Sequence, residues 1–139
     1  MQAQAQQTIA ENVYKNTLLL IEALKDNYRE YSIRGHQRSA IACGESVDYH
    51  QRCIDELKSG KCDIDYQVET GKKYHKVIFV DGNGSRSVHC FIDKNTGEMY
   101  KSASWKSPAK NGVRFNLADE KSRQEMYQRA DWAGGYLYK

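Results

Sequence analysis

Residues 103–114 combine basic and aromatic side chains, a combination that can bind nucleic acid. The segment contains Trp105, Lys106, Lys110 and Arg114, and it contains no acidic residue. Cationic side chains neutralise phosphates, and aromatic rings stack on bases. The segment also has a purely structural interpretation, in which Trp105 anchors a loop to the core and the lysines are only solvated. Because few charges are involved, we expect any nucleic-acid binding to be weak and sensitive to salt.

Residues close to this segment extend the candidate surface. Tyr100 and Lys101 end the strand that precedes it, and Arg86 and His89 lie on the strand before that. The full set of candidate binding residues is Arg86, His89, Tyr100, Lys101, Trp105, Lys106, Lys110 and Arg114.

Known catalytic motifs are missing from the sequence. It has no G-x-S-x-G, Walker A or H-E-x-x-H motif. His89 and Cys90 are adjacent on a predicted strand and should point to opposite faces, so they cannot act as base and nucleophile. We therefore predict that the protein is not an enzyme and needs no cofactor.

The four cysteines are spaced unlike zinc ligands, and we predict no metal site. They lie at Cys43, Cys53, Cys62 and Cys90, without a C-x-x-C pair. The alternative is a zinc site made from Cys43, His50 and Cys53. We interpret the cysteines as free thiols that serve as small core residues.

Length and composition indicate a small globular protein. The chain has 139 residues and a net charge of +3, which permits nucleic-acid binding without requiring it. It lacks a long apolar run or signal-peptide pattern, so we expect a cytosolic protein with no membrane contact. Two divisions are compatible with the sequence: a helical extension over residues 1–44 with an α+β domain over 45–139, or one domain over 8–139.

Three helices are predicted. A capping box at Thr8 begins a helix over residues 8–28, with a wide apolar stripe that includes Ile9, Val13, Leu18, Leu20 and Leu24. Residues 29–44 are compatible with a short helix or a buried strand. Ser46 begins a second helix that ends at Lys58, and Asp119 begins a C-terminal helix.

Alternating and apolar segments predict four strands, over residues 63–69, 73–80, 85–92 and 98–102. Short turns join them, so the predicted fold class is α+β: an antiparallel four-stranded meander with the three helices packed on it. Tyr136 and Leu137 then form a last strand or a tail docked on the core.

Three sequence segments resemble a family of small uncharacterised proteins of tailed bacteriophages. They are GKKY at 71–74, SVHCFIDKNTGEMYKSASWKSPAK at 87–110 and ADWAGGYLY at 130–138. The resemblance covers roughly residues 50–139. It implies a phage origin and a location in the cytoplasm of the infected bacterial host, and it implies no activity, cofactor or catalytic residue.

The leading hypothesis is therefore a non-enzymatic phage accessory protein that contacts nucleic acid through its basic-aromatic loop. The alternative is a module that binds a host or phage protein, or forms a homo-oligomer through the helix over residues 8–28. An uncharacterised enzyme is the third class.

Overall fold

The computed structural model describes residues 2–43, 47–109 and 112–138, with the backbone alone described for 2–7, 42–43 and 47. Its elements in chain order are α1 (Gln2–Cys43), α2 (Val47–Lys58), β1 (Asp65–Thr70), β2 (Tyr74–Val80), β3 (Arg86–Asp93), β4 (Glu98–Lys101), β5 (Phe115–Asn116), α3 (Glu120–Arg129) and a 3-10 helix (Gly135–Leu137). The predicted α+β class is confirmed, with a fifth strand added to the predicted four.

Helix α1 is longer than the sequence predicted. It begins at Gln2 and continues to Cys43, so the predicted start at Thr8 and end near Tyr28 are both wrong. The segment that the sequence left open, as a short helix or a buried strand, is helical as far as Cys43, where the described residues of this part end. Within this helical part Gly35 opposes helix formation, at a cost of about 1 kcal/mol, and α2 packs against this part through His50 and His36.

Helix α2 confirms the second predicted helix, although the predicted cap, Ser46, lies outside the described residues. Its Ile54 and Leu57 are buried, as predicted. His50 contacts His36 of α1 through their Nδ1 atoms, which lie 2.9 Å apart. Helix α2 therefore folds back on the second half of α1.

The sheet is antiparallel, and its five strands follow one another in chain order. The fifth strand was not predicted because two residues cannot show an alternating pattern. It is held to β4 by pairing of Phe115 with Met99, and the Arg114 amide donates to the Met99 carbonyl at 2.8 Å. This short strand ends the loop that carries the basic-aromatic segment.

Strand β3 contains a bulge at His89. Val77 of β2 pairs with Cys90 while Ile78 pairs with Val88, so His89 is an extra residue. A bulge interrupts the alternation of side chains. His89 bonds to Tyr136 of the main core cluster, and Cys90 belongs to the same cluster, so the prediction that these two residues point to opposite faces is wrong.

The hydrophobic core lies between one face of the sheet and the helices α1 and α3. Val13, Leu20 and Leu24 of α1 are fully buried in it, as predicted. Ile9 and Leu18 were predicted on the same stripe but are 40% and 43% exposed. A helix that lies on a sheet buries only the side chains that face it directly, so the buried stripe is narrower than the apolar pattern.

Helix α3 and the C-terminal segment after it also pack on the core. Helix α3 begins as predicted, with the Asp119 carboxylate accepting from the Ser122 amide at 3.1 Å, and its Met126 is fully buried. Tyr136 and Leu137 are buried in the 3-10 helix, so the chain end is a docked tail and not a strand.

Among the described residues, no helix combines the length and the apolar character needed to cross a membrane. The predicted division of the chain into residues 1–44 and 45–139, or a single domain over 8–139, stays a prediction.

Candidate nucleic-acid interface

The sheet has an outer face, which we define as the face away from α1. Antiparallel register aligns Glu69, Lys76, Phe91 and Tyr100 across strands β1 to β4 on this face. Paired residues in a sheet share a face, and their neighbours along each strand point to the core. Phe91 is 3% exposed although it lies outside the main core cluster, so the outer face carries a buried apolar layer of its own.

Three aromatic side chains, Tyr74, Phe91 and Tyr100, form a ring row on the outer face. The Tyr74 ring contacts Phe91 at 5.8 Å and Tyr100 at 6.2 Å between centroids, both edge to face. The Tyr100 hydroxyl donates to a Glu98 carboxylate oxygen at 2.6 Å, and this bond raises the pKa of Tyr100 to about 12. The row is therefore a fixed, neutral set of rings at physiological pH.

Trp105 lies over the same face, beside the ring row. Its ring is 4.4 Å from Lys76 Nζ and 5.3 Å from the Arg86 guanidinium, both within the range of a cation–π contact. Glu69 pairs with both cations, at 3.9 Å to Lys76 and 3.0 Å to Arg86. Trp105 is thus held in place, yet 40% of its surface stays exposed.

The loop that carries Trp105 is itself well ordered by hydrogen bonds. The Ala103 amide donates to the Ser107 carbonyl at 3.0 Å, and the Ala109 amide donates to the Lys101 carbonyl at 2.7 Å. Pro108 is buried and pairs with Ser102 as an isolated bridge. The interpretation of Trp105 as a loop anchor and its availability for a ligand are therefore compatible.

Three exposed lysines, Lys72, Lys73 and Lys106, lie at one end of the outer face, and we call them the lysine cluster. They line a cavity of about 280 Å³ together with Tyr74, Phe91 and the acidic Glu69. None of the three has an ion-pair partner among the described residues. A second cavity, of about 440 Å³, shares Lys73 and Tyr74 and continues along the ring row to Tyr100. Because the two cavities share these residues, we treat them together as one outer-face groove, with the lysine cluster at one end and Tyr74 and Tyr100 along it.

The structure brings together half of the predicted binding residues. Arg86, Tyr100, Trp105 and Lys106 lie on the outer face. Lys110 lies outside the described residues.

Two predicted residues, Lys101 and His89, lie on the inner side of the sheet instead. Lys101 follows Tyr100 directly, so strand alternation turns it to the opposite face, where its Nζ lies 4.1 Å from the Tyr138 ring centroid. His89 is turned inward by the bulge, and its Nε2 bonds to the Tyr136 hydroxyl at 2.7 Å. Neither belongs to the outer-face groove.

Arg114, another predicted binding residue, bonds through its guanidinium group to backbone carbonyls of the protein itself. Its Nε donates to the Leu137 carbonyl at 2.5 Å, and a guanidinium nitrogen donates to the Gly112 carbonyl at 3.0 Å. These bonds attach the docked chain end to the loop before β5.

Sequence reasoning did not find five residues of this surface. They are Lys72, Lys73, Tyr74, Lys76 and Phe91. The signal was present in Tyr74 and Lys76, which alternate with the buried His75 and Val77. The apolar run Val77–Val80 outweighed this alternation in the prediction, because a run apolar on both faces indicates a strand without a solvent face.

The structure gives no support to the alternative zinc site. His50 bonds to His36, and the side chain of Cys43 is not described. Within the part of the chain that the structure describes, no three His, Cys, Asp or Glu side chains are grouped closely enough to hold a metal ion.

The chain belongs to a family of unknown function, DUF7717, whose model matches residues 1–139. The match therefore includes helix α1 as well as the sheet and the C-terminal segment. No curated protein and no solved structure matches the chain.

Proposed function

We propose that this member of the family is a non-enzymatic protein that binds single-stranded nucleic acid on the outer face of its sheet. The observation that carries the proposal is the lysine cluster, three exposed cations without ion-pair partners among the described residues, at the end of a row of rings. Single-strand binding surfaces combine these two components: cations that follow the phosphates and rings on which bases stack.

The charges on the outer face divide into two groups. Glu69 neutralises part of the charge of Lys76 and Arg86, so these two cations serve mainly to hold Trp105. The lysine cluster makes no ion pair among the described residues, although Glu69 lines the same cavity, and its three cations remain for phosphates. A single strand with about three phosphate contacts gives a slope of about −2 in log K against log salt.

The rings supply the part of the binding that does not depend on salt. Tyr74, Tyr100 and Trp105 each keep part of their surface accessible. Stacking of one base on an aromatic side chain contributes about 1–3 kcal/mol and tolerates any base. The proposal is therefore for binding with little sequence preference.

The test is fluorescence anisotropy of labelled single-stranded DNA and RNA at several salt concentrations. The variant Lys73→Ala/Lys106→Ala should bind about tenfold more weakly at low salt, and its slope should fall by about 1.4, since two phosphate contacts are lost. The matched control is Lys58→Ala/Lys121→Ala, which removes two exposed lysines elsewhere on the surface and therefore has the same net charge as the test variant. Lack of binding by the wild type at low salt, or equal weakening in the control, would refute the proposal.

The biological setting of the proposal rests on the sequence resemblance alone. It is a phage-encoded accessory protein in the cytoplasm of an infected bacterium. Affinity capture of the tagged protein from infected cells should recover nucleic acid, and nuclease treatment should remove it.

A second candidate function is self-association through α1. Ile9, Leu18 and Leu19 are 40%, 43% and 49% exposed along this helix, and apolar side chains that together form an exposed patch can pack against a second copy. Light scattering should then show a dimer that Leu19→Lys converts into a monomer. A wild type that stays monomeric at the highest soluble concentration contradicts this candidate.

A further inference from the structure

A cavity of about 340 Å³ opens on the inner side of the sheet, between the strand ends and the docked C-terminal segment. Phe79, Trp132 and Tyr138 contribute its aromatic lining, and His89 and Lys101 contribute polar groups. Ligand sites are typically concave and mainly apolar, with a few polar groups, and this volume is at the small end of their range. It belongs to the opposite side of the sheet from the groove proposed for nucleic acid.

The aromatic side of the cavity is held in place by helix α1. The Trp132 amide donates to the Asn27 side-chain oxygen at 3.0 Å, and the Trp132 ring packs edge to face on Tyr28 at 5.2 Å. Phe79 lies beside the indole at 6.0 Å, with 34° between the ring planes. A ligand ring would therefore meet a surface that needs little rearrangement.

Lys101 gives the cavity a positive charge. The side chain is half-buried, its Nζ lies over the Tyr138 ring at 4.1 Å, and it has no ion-pair partner among the described residues. Its cross-strand partner is Cys90, which is fully buried. A partly desolvated cation beside apolar surface gains from an anionic ligand that replaces lost hydration.

His89 contributes hydrogen bonding without charge. Burial lowers the pKa of His89 to about 4, so its imidazole is neutral at physiological pH, with Nε2 bonded to the Tyr136 hydroxyl. The charge of Asp131 acts on His89, but Asp131 does not line the cavity, and its carboxylate accepts from the Ala133 amide at 3.0 Å. Among the described residues that line the cavity, Lys101 is the one that carries a charge at physiological pH.

We infer that this cavity binds a small aromatic carboxylate, whose ring packs among Phe79, Trp132 and Tyr138 and whose carboxylate pairs with Lys101. The ring packing and the ion pair are separate requirements. A neutral aromatic compound should satisfy only the first, and an aliphatic carboxylate only the second.

The two tryptophans provide the test, because Trp132 lines this cavity and Trp105 lies on the outer face. In the nitrogen-15-labelled full chain, benzoate should shift the indole N–H signal of Trp132 in a saturable way and leave that of Trp105 unchanged. Benzyl alcohol and cyclohexanecarboxylate should each bind at least about tenfold more weakly, a loss of about 1.4 kcal/mol.

The variant Lys101→Met removes the charge and keeps an unbranched side chain. It should weaken benzoate binding about tenfold and leave benzyl alcohol unaffected, while the control Lys121→Met should bind benzoate normally. If Lys101→Met does not fold, the three-compound comparison on the wild type decides alone. A Trp132 signal that benzoate does not move, or equal binding of benzoate and benzyl alcohol, overturns the inference.

Discussion

His89 illustrates how a single bulge decides the role of a residue. Its ring meets Tyr66 edge to face at 5.6 Å and bonds to the Tyr136 hydroxyl, so it lies enclosed by tyrosines. Burial disfavours the charged imidazolium and lowers its pKa from 6.5 to about 4. In the unfolded chain the same histidine takes up a proton near its ordinary pKa.

This difference predicts a loss of stability in acid. Between pH 6.5 and pH 4 the unfolded chain binds a proton at His89 that the folded chain does not, so the free energy of unfolding falls as the pH falls. From pH 7 to 4.5 the loss from His89 alone should be about 2 kcal/mol. Urea unfolding should show this drop for the wild type in excess of that for His89→Gln. Parallel pH profiles for the two proteins would contradict the assignment.

At the scale of elements, the turn between β3 and β4 depends on close backbone packing at Gly97. Its φ is +83°, and a Cβ added there would lie 2.6 Å from the Ala118 amide nitrogen. The Leu117 amide also donates to the Gly97 carbonyl at 2.8 Å. The turn therefore requires glycine twice, for its dihedral angle and for space.

Gly84 in the preceding turn separates these two requirements. Its φ is +85°, but nothing lies within 4 Å of an added Cβ. Gly84→Ala should cost about 1 kcal/mol through the left-handed backbone alone. Gly97→Ala should cost at least about 2 kcal/mol more, since backbone atoms must move. Thermal unfolding of both variants checks this; equal costs would mean that the contact at Gly97 relaxes freely.

Elements with a regular local pattern could be predicted from the sequence. The alternation in β1, the turns before β3 and β4, and the Asp119 cap of α3 are all local signals, and the structure confirms them. The length of α1, the bulge at His89 and the short β5 depend on packing between distant segments. No local pattern encodes those contacts, so sequence reasoning failed there.

The candidate site was partly predictable for the same reason. Trp105 and Lys106 were found because they are close together in sequence. Sequence reasoning found only Lys106 of the lysine cluster. Lys72 and Lys73 come from another hairpin, and only the sheet register brings them beside Lys106. Lys101 was grouped with residues of the outer face, although strand alternation turns its side chain away from that of its neighbour Tyr100.

At the scale of the whole molecule, the sheet separates two surfaces with different chemistry. The outer face has the lysine cluster, the ring row and Trp105, which together suit a strand of phosphates and bases. The inner cavity has one cation beside Trp132, which suits a small ligand. One tryptophan marks each surface, so a ligand can be assigned to a face from the indole signals.

The most direct test of nucleic-acid binding on the outer face is a titration of the labelled full chain with a single-stranded oligonucleotide. The account predicts that the indole N–H signal of Trp105 moves in a saturable, salt-sensitive way while that of Trp132 stays in place. Movement of Trp132 alone, or no movement of either signal at low salt, would contradict it.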